Sequence, residues 1–317
     1  MLISVIICTR NPRSDYLSRV LEGLRRQTLE LNQWELVLVD NDSDEPLAGK
    51  IDLSWHPLSR CVREEMRGHV PARLKGIESS AGDFLIFVDD DNVLHDDYLE
   101  QALEIGAKWP MLGTWGASIT GEFEVPPPTC LEPYIDGLAI CELDQAYWSN
   151  IPVWTRATPY GAGVCVRKEV AASYLHAARE TPLRRSLGRS GANLGAGDDS
   201  DLSWTSTRLN LGFGRFPELK LTHLISARRL TTEYMTSLFA GFVGSGIILD
   251  HLWGRPVKEP PLVMQVLSLV KALLRGDKIQ RMIAWRSFSS KRQAWQLLKT
   301  NAGSDAPRGG PALKATI

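Results

Sequence analysis

The sequence predicts an α/β protein in which a mixed, largely parallel sheet is flanked by helices and followed by a helical C-terminal extension. β-Branched strand-like runs alternate with amphipathic helical segments over the first 90 residues, a pattern typical of a covered parallel sheet. Residues 84–88 (Phe-Leu-Ile-Phe-Val) are continuously apolar, as expected for a strand buried on both faces. After residue 260 the pattern becomes helical only.

Composition sets broad limits on the class of protein. The chain has 317 residues, 44% hydrophobic and 23% charged, which is ordinary for a globular protein with one large core or two modest ones. A net charge of −1 gives no overall attraction to nucleic acid or anionic lipid. Charge is uneven, however, because ten Lys and Arg face only two Asp and Glu between Arg255 and Lys299.

The cysteines and the first residues of the chain indicate in which cellular compartment the protein is found. Five scattered cysteines, with no Cys-x-x-Cys pair, argue against a disulfide framework and a zinc ribbon and favour a reducing environment. The first residues have neither the basic region nor the cleavage site of a signal peptide. We therefore expect a cytoplasmic protein.

The N-terminal elements are predicted in order as a β-α-β-α-β series. A strand over residues 2–8 precedes a helix that begins with Ser14 as a plausible N-cap. That helix carries one apolar face, formed by Leu17, Val20, Leu21 and Leu24. The later elements are strands over residues 34–39 and 61–63, a helix over 69–80, and the strand over 84–88.

Polar residues follow three of these strands. They are residues 9–11 (Thr-Arg-Asn), 40–43 (Asp-Asn-Asp-Ser) and 89–92 (Asp-Asp-Asp-Asn). The carboxyl ends of parallel strands meet at one edge of a sheet, where ligands bind. Three adjacent aspartates repel one another unless water or a cation stabilises them. A solvated acidic loop is one interpretation, and an Mg²⁺ or Mn²⁺ ion carrying a phosphate is the other.

The second half is predicted to combine short strands with Pro-rich and Gly-rich loops. Strands are expected over residues 113–123, 160–167 and 213–221, the last followed by His223. Gly161, Ala162 and Gly163 allow close approach of a ligand or another backbone, or else form a bulge. Residues 184–197 are predicted to form a long, mobile loop. Asp198 and Asp199 stand where a helix begins, so one of them is also a candidate cap.

Basic amphipathic helices characterise the C-terminal third. The uncharged run over residues 236–249 is interrupted by glycines and is shorter than the roughly 20 residues that a membrane span needs. Two amphipathic segments follow, over residues 262–275 and 278–298. They are expected either to lie on an anionic membrane or to pack on the preceding domain. Residues 301–317 are predicted to be a disordered tail.

The polar motifs together resemble those of family 2 glycosyltransferases. The residues that carry the resemblance are 5–11, 38–41, Ala72-Arg73 before Gly76-Ile77, 88–92, 161–163, 197–199 and His223. Their order and spacing extend over residues 1–225. The resemblance implies the Rossmann-like GT-A fold of nucleotide-diphospho-sugar transferases and an inverting sugar transfer, as in polysaccharide biosynthesis.

The same resemblance implies residue roles. Nucleotide contacts fall to Thr9, Arg10, Asn11, Asp40, Arg73, Asp89 and Asp90. In the DXD-like run, Asp91 with Asp89 is implied to hold the divalent metal, Mn²⁺ or Mg²⁺. His223 either reaches the metal or is an ordinary surface or core histidine. Acceptor contacts are implied for Gly161, Ala162 and Gly163.

Chemical reasoning completes the candidate site. Transfer needs one base to take the proton from the acceptor hydroxyl, and we assign it to Asp199, with Asp198 as the alternative. Trp204, like Trp148 and Trp154, either stacks on an acceptor sugar or belongs to the core. Two departures from the family pattern occur. Leu74 and Lys75 stand where the family often has Asn, and Asp198 stands where it usually has Glu.

The sequence therefore predicts four regions and one main function. Residues 1–111 bind the nucleotide-sugar, 112–227 bind the acceptor, 228–300 form the basic extension, and 301–317 form the tail. The donor is expected to be a UDP-sugar, because Asp40 suits the uracil N–H, although thymine offers the same group. The acceptor is expected to be a glycan or a lipid-linked glycan. A sugar-nucleotide nucleotidyltransferase and a non-catalytic glycan-binding protein are the alternatives.

Overall fold

The computed structural model describes residues 2–189, 191 and 195–301 and places a nine-stranded mixed sheet at its centre. The order is β3-β2-β1-β4-β8-β6-β9-β5, with β7 beside β9. Strands β3, β2, β1 and β4 run parallel, and β8 runs antiparallel to both β4 and β6. The strands are β1 (Ile3–Thr9), β2 (Trp34–Asp40), β3 (Ser59–Arg63), β4 (Phe84–Asp89), β5 (Asn92–Leu94), β6 (Leu112–Phe123), β7 (Tyr147–Ser149), β8 (Cys165–Arg167) and β9 (Gly212–Ile225).

Helices cover both faces of this sheet. They are α1 (Ser14–Arg25), α2 (His69–Glu78), α3 (Tyr98–Lys108), α4 (Lys168–Glu180), α5 (Asp198–Arg208), α6 (Thr232–Leu252), α7 (Leu262–Arg275) and α8 (Lys278–Asn301). One core contains Val5 and Ile7 of β1 with residues of α1 and α3. The other contains Ile6 with residues of α2, α4 and α5. Alternation along β1 thus supplies both cores, and the predicted α/β architecture is confirmed.

Several predicted boundaries need correction. Ser14 is the first residue of α1, and Arg13 occupies the cap position without a side-chain hydrogen bond. Asp198 is likewise the first residue of α5, and Gly197 is at the cap position, so neither aspartate is the cap. The strand expected over residues 160–167 is limited to Cys165–Arg167. Before it, Gly163 adopts a φ of +70°, where a side chain would be strained, and its carbonyl accepts a hydrogen bond from Tyr98.

The C-terminal extension is built on α6 and α8, which pack against each other and form two small cores with the preceding domain. Within the described chain, α6 is the one helix whose length and apolar composition would suffice to cross a membrane, and half of that stretch is buried in the fold. Helix α7 packs on α8 and has no buried residue. Apart from Asn301, the predicted tail lies outside the described residues, as do residues 190 and 192–194 of the long loop.

Candidate active site

The polar ends of three strands meet at one edge of the sheet, as the sequence predicts. Thr9 of β1 pairs in register with Asp40 of β2, and Cys8 pairs with Asp89 of β4. Because the three strands are parallel neighbours, their carboxyl ends face the same cleft. Thr9 also donates a short hydrogen bond to Asp90, one residue beyond β4. Burial and the carboxylate of Asp91 raise the pKa of Asp90 to about 7.

A first group of side chains, which we call the Asp91 cluster, consists of Asp91, His223 and Arg229. Pairing of β5 with β9 brings His223 to Asp91, with Nε2 3.5 Å from Oδ1. Arg229 donates from Nη2 to Asp91 Oδ2 at 2.6 Å and lies 2.7 Å from His223 Nε2 through Nη1. Burial alone would raise the pKa of Asp91, but the charge of Arg229 outweighs it and lowers that pKa. Asp91 is thus ionised at neutral pH.

Arg229 was not among the residues that the sequence singled out. It lies in a 3₁₀ turn (Ala227–Leu230) between β9 and α6, six residues after His223. No motif or periodicity marks it, because its role depends on how the turn folds back toward the end of β4. The adjacent Arg228 has the same chemistry but is exposed. Sequence alone does not distinguish the two arginines.

A second group, the Asp199 cluster, consists of His69, Arg73, Asp198 and Asp199. Helices α2 and α5 bring it together from distant parts of the chain. Asp198 Oδ2 lies 2.8 Å from His69 Nδ1 and accepts a 3.0 Å hydrogen bond from Arg73 Nη1. Arg73 also forms a close ion pair with Asp199. The Asp198 side chain is 4% exposed and that of Asp199 is 35% exposed, so Asp199 is the member that faces solvent.

His69 connects this group to the strand ends. Its Nε2 lies 3.7 Å from Asp89 Oδ1, on the opposite side of the ring from Asp198. Burial and the neighbouring Arg73 oppose a charged imidazole, but Asp198 and Asp89 outweigh them and raise the pKa of His69 to about 9. At neutral pH both ring nitrogens therefore carry protons: Nδ1 donates to Asp198, and Nε2 forms a longer ion pair with Asp89. His69 was also missing from the sequence prediction.

Arg73, expected to contact the nucleotide, is instead buried at 1% exposure between the two carboxylates of α5. Gly161 lies directly against this ion pair, since an added Cβ would overlap both Arg73 and Asp199. Glycine is needed there because two charged groups approach the backbone. The predicted close approach at Gly161 is confirmed, but what approaches is the protein's own ion pair.

Two other predicted contacts are differently placed. Trp204 is 1% exposed, at a ring-centroid distance of 5.8 Å from Trp253, so its predicted stacking on an acceptor sugar is wrong. It lies on the inner face of α5 and belongs to the core. Ala162 is also buried. Trp148 and Trp154, by contrast, are 51% and 62% exposed and are free to contact a ligand.

Asp40 organises a loop beside the cleft. Its carboxylate accepts hydrogen bonds from the backbone of Ser43 (2.9 Å) and Leu47 (3.1 Å) and from Arg63 (2.8 Å). Asp40 is 2% exposed, so these bonds and burial leave it little capacity for a base N–H. Arg10 and Asn11 each bond to Asp44 of the same loop at 2.9 Å. The predicted nucleotide residues at these two strand ends thus form one connected wall.

Two groups offer ligands for a cation, with different chemistry. Among the residues that the structure describes, His69, Asp198 and Asp199 form the one group of three metal-ligating side chains, with ligand atoms within 4.8 Å of one another. Arg73 and the protonated His69 already neutralise that group, and a protonated imidazole cannot bind a metal. Asp91 and His223 supply an ionised carboxylate and an imidazole nitrogen, which suit Mn²⁺ or Mg²⁺ better.

The N-terminal part of the chain is similar in sequence to known proteins. Residues 4–134 match the family model described as glycosyl transferase family 2. This match covers less than half of the chain. Two curated proteins are each 30% identical to this chain over 104 residues, or 32% of its length. One is glycosyltransferase AglE of Haloferax volcanii, of which 34% is matched. The other is the putative glycosyltransferase EpsH of Bacillus subtilis, of which 29% is matched. The match thus spans about a third of these relatives.

Solved structures extend the likeness to nearly the whole chain at the level of the fold. The mannosyltransferase PcManGT from Pyrobaculum calidifontis, in complex with GDP-Man and Mn²⁺, has a TM-score of 0.52 at 17% identity and covers 96% of this chain and 80% of its own. Residues 1–349 of S. aureus TarS give 0.51 at 13% identity, covering 95% and 92%. The predicted GT-A fold, with its C-terminal helices, is confirmed.

Proposed function

We propose that the protein is a metal-dependent, inverting glycosyltransferase that moves a sugar from a nucleotide-diphospho-sugar to a hydroxyl of a glycan or lipid-linked acceptor. The observation that carries the proposal is the division of the cleft carboxylates into two clusters. Asp91 stands beside the Nε2 atom of His223, whereas Asp199 is the partly exposed member of a separate group that also contains Arg73 and His69. Sugar transfer needs a cation site and a base, and we assign the first to the Asp91 cluster and the second to the Asp199 cluster.

The nucleotide binds, in this proposal, against the wall formed by Thr9, Arg10, Asn11 and Asp40, with Asp89 and Asp90 beneath it. A UDP-sugar is our proposed donor. Because Asp40 is occupied by its own loop, uracil would be selected mainly by the shape and backbone of residues 41–47. The relative PcManGT binds a guanine nucleotide on the same fold, so the identity of the base needs a direct test.

Asp91 and His223 are the residues that would hold the divalent cation. A divalent ion held by these two residues would supply positive charge to the departing diphosphate. Ligation needs an ionised carboxylate, and the lowered pKa of Asp91 keeps it ionised over the physiological range. Asp89 is held by His69 and is therefore proposed to position Asp91 rather than to bind metal itself.

Asp199 is the proposed general base. Its carboxylate accepts the proton of the acceptor hydroxyl while the acceptor oxygen bonds to the anomeric carbon and the bond to the diphosphate breaks. Direct displacement inverts the anomeric centre and needs no covalent intermediate, so one carboxylate is enough. Retaining glycosidases, by contrast, need two carboxylates flanking the bond. Arg73 and Gly161 fix the position of Asp199, and Asp198 is the buried anchor of that arrangement.

The proposal is tested by incubating the protein with UDP- and GDP-sugars in the presence of Mn²⁺. We expect the true donor to raise the Tm of the protein and to be hydrolysed slowly, with release of the nucleoside diphosphate. Chelation of the metal should abolish this release. A nucleotidyltransferase would instead consume a nucleoside triphosphate and release pyrophosphate. A glycan-binding protein would release neither product. Release of pyrophosphate, or no turnover with any nucleotide sugar, would refute the proposal.

We also propose that α7 rests on an anionic membrane at the inner face of the cell, where a lipid-linked acceptor would be found. Val263, Leu267, Val270 and Leu274 form an apolar stripe along one side of α7, with exposures from 46% to 80%. Lys271 and Arg275 flank this stripe. Such a helix buries its apolar side at the acyl boundary while its basic residues meet lipid phosphates.

Sedimentation with vesicles tests the membrane contact. We expect the protein to bind vesicles that contain phosphatidylglycerol and to bind phosphatidylcholine vesicles weakly, with binding reduced by salt. Leu267→Glu should abolish sedimentation. The matched control is Leu58→Glu, which adds the same charge at an exposed leucine in the N-terminal half and should have no effect. Equal binding of the Leu267 variant and the wild type would exclude α7 as the contact.

A further inference from the structure

Arg229 contacts both of the side chains that are proposed to hold the metal, Asp91 and His223. One guanidinium nitrogen donates to Asp91 Oδ2 at 2.6 Å, and the other lies 2.7 Å from His223 Nε2. Asp91 and His223 are each about nineteen-twentieths buried, at 6% and 5% exposure. Arg229 therefore makes the same two contacts that a divalent cation would make.

This geometry determines the role of the His223 nitrogen that faces Arg229. A guanidinium has only donors, so the Nε2 that faces it must accept, and the ring proton must lie on Nδ1. Buried Nδ1 has no hydrogen-bond partner among the described residues. Metal ligation through Nε2 needs the same neutral tautomer. Nε2 has a single lone pair, so it cannot serve Arg229 and a metal together.

Resting on the proposed function, we infer that Arg229 is an internal cation that closes the Asp91 and His223 site until a divalent metal and the donor diphosphate displace it. The displaced guanidinium then lies beside the incoming diphosphate, where its paired donors suit phosphate oxygens. Exchange of one cation for another keeps Asp91 from being left buried and unpaired. Metal binding without nucleotide is therefore weakened by competition.

The turn that carries Arg229 favours movement of the side chain over movement of the backbone. Leu230 is 4% exposed in the small core under α6, and Ala227 donates its backbone N–H to Glu124 at 2.8 Å. Thr231 caps α6 through the backbone of Tyr234. The backbone is thus held on both sides of Arg229, whereas its side chain is 20% exposed.

The inference can be tested without measuring turnover by titrating the protein with Mn²⁺ alone. Binding is measured as the loss of the electron paramagnetic resonance signal of free Mn²⁺. We expect Arg229→Ala to bind Mn²⁺ at least about tenfold more tightly than the wild type, because two charge-assisted contacts no longer compete. Arg229→Lys, which keeps the charge but not the paired donors, should fall between them. Addition of UDP should tighten Mn²⁺ binding more in the wild type than in Arg229→Ala.

Two controls separate this inference from the proposed function. Arg228→Ala removes the adjacent, exposed arginine and should leave Mn²⁺ affinity unchanged. Asp91→Ala should abolish binding in every background. Suppose that Arg229→Ala binds Mn²⁺ no more tightly than the wild type and that Asp91→Ala does not bind it. The inference about Arg229 would then be wrong, whereas the proposed metal site would be supported. Undiminished binding by Asp91→Ala would overturn both.

Discussion

Replacement of Asp199 by Asn is the most informative change to the proposed mechanism. Asn has the same shape and can still accept a hydrogen bond from Arg73, but it cannot take a proton. Asp199 is 35% exposed, so the substitution should change the free energy of unfolding little. Loss of a general base typically lowers turnover by roughly 10²- to 10⁴-fold, which corresponds to about 3–5 kcal/mol in the activation barrier.

The assay is release of nucleoside diphosphate with saturating donor and acceptor, combined with donor binding by calorimetry in the presence of Mn²⁺. We expect kcat to fall while the donor Kd changes less than about threefold, because Asp199 lies outside the Asp91 cluster. Asp198→Asn is the matched control. Asp198 is buried and bonded to both His69 and Arg73, so its loss should lower Tm as well as turnover. Near-normal turnover by Asp199→Asn would refute the assignment of the base.

Three further predictions concern the structure around the site. Gly161→Ala should lower kcat strongly with a smaller effect on donor Kd, because the added Cβ overlaps the Asp199 cluster; unchanged kcat would contradict that packing. His69 has its pKa raised from 6.5 to about 9, so the stability it contributes is complete below pH 6.5 and is lost as pH rises through 9. In urea unfolding, the advantage of the wild type over His69→Gln should therefore shrink between pH 6.5 and 9.5, and a constant difference would exclude this linkage. Asp201→Asn should destabilise the protein by about 3–5 kcal/mol, because it leaves Arg184 buried without its charge partner; a Tm within about 2 °C of wild type would contradict this.

Local sequence patterns predicted the sheet well where each residue's environment follows from its neighbours in the chain. The run over residues 84–88 had to be a buried strand, and the amphipathic run over 262–275 became α7 with the predicted bounds. The meeting of Thr9, Asp40 and Asp89 also followed, since parallel strands end at a common edge. Strand 160–167 failed because its glycines favour a turn over a ladder.

The sequence by itself determined the fold class, the sheet edge that carries the chemistry, and the types of residues found there, because periodicity and strand ends are local properties. Only the tertiary structure decided which charges pair. Arg73 binds the carboxylates of α5 more than one hundred residues away, Arg229 rather than Arg228 reaches Asp91, and Trp204 faces the core. Such pairings depend on how helices and turns pack across the sheet, and no spacing within one segment encodes them.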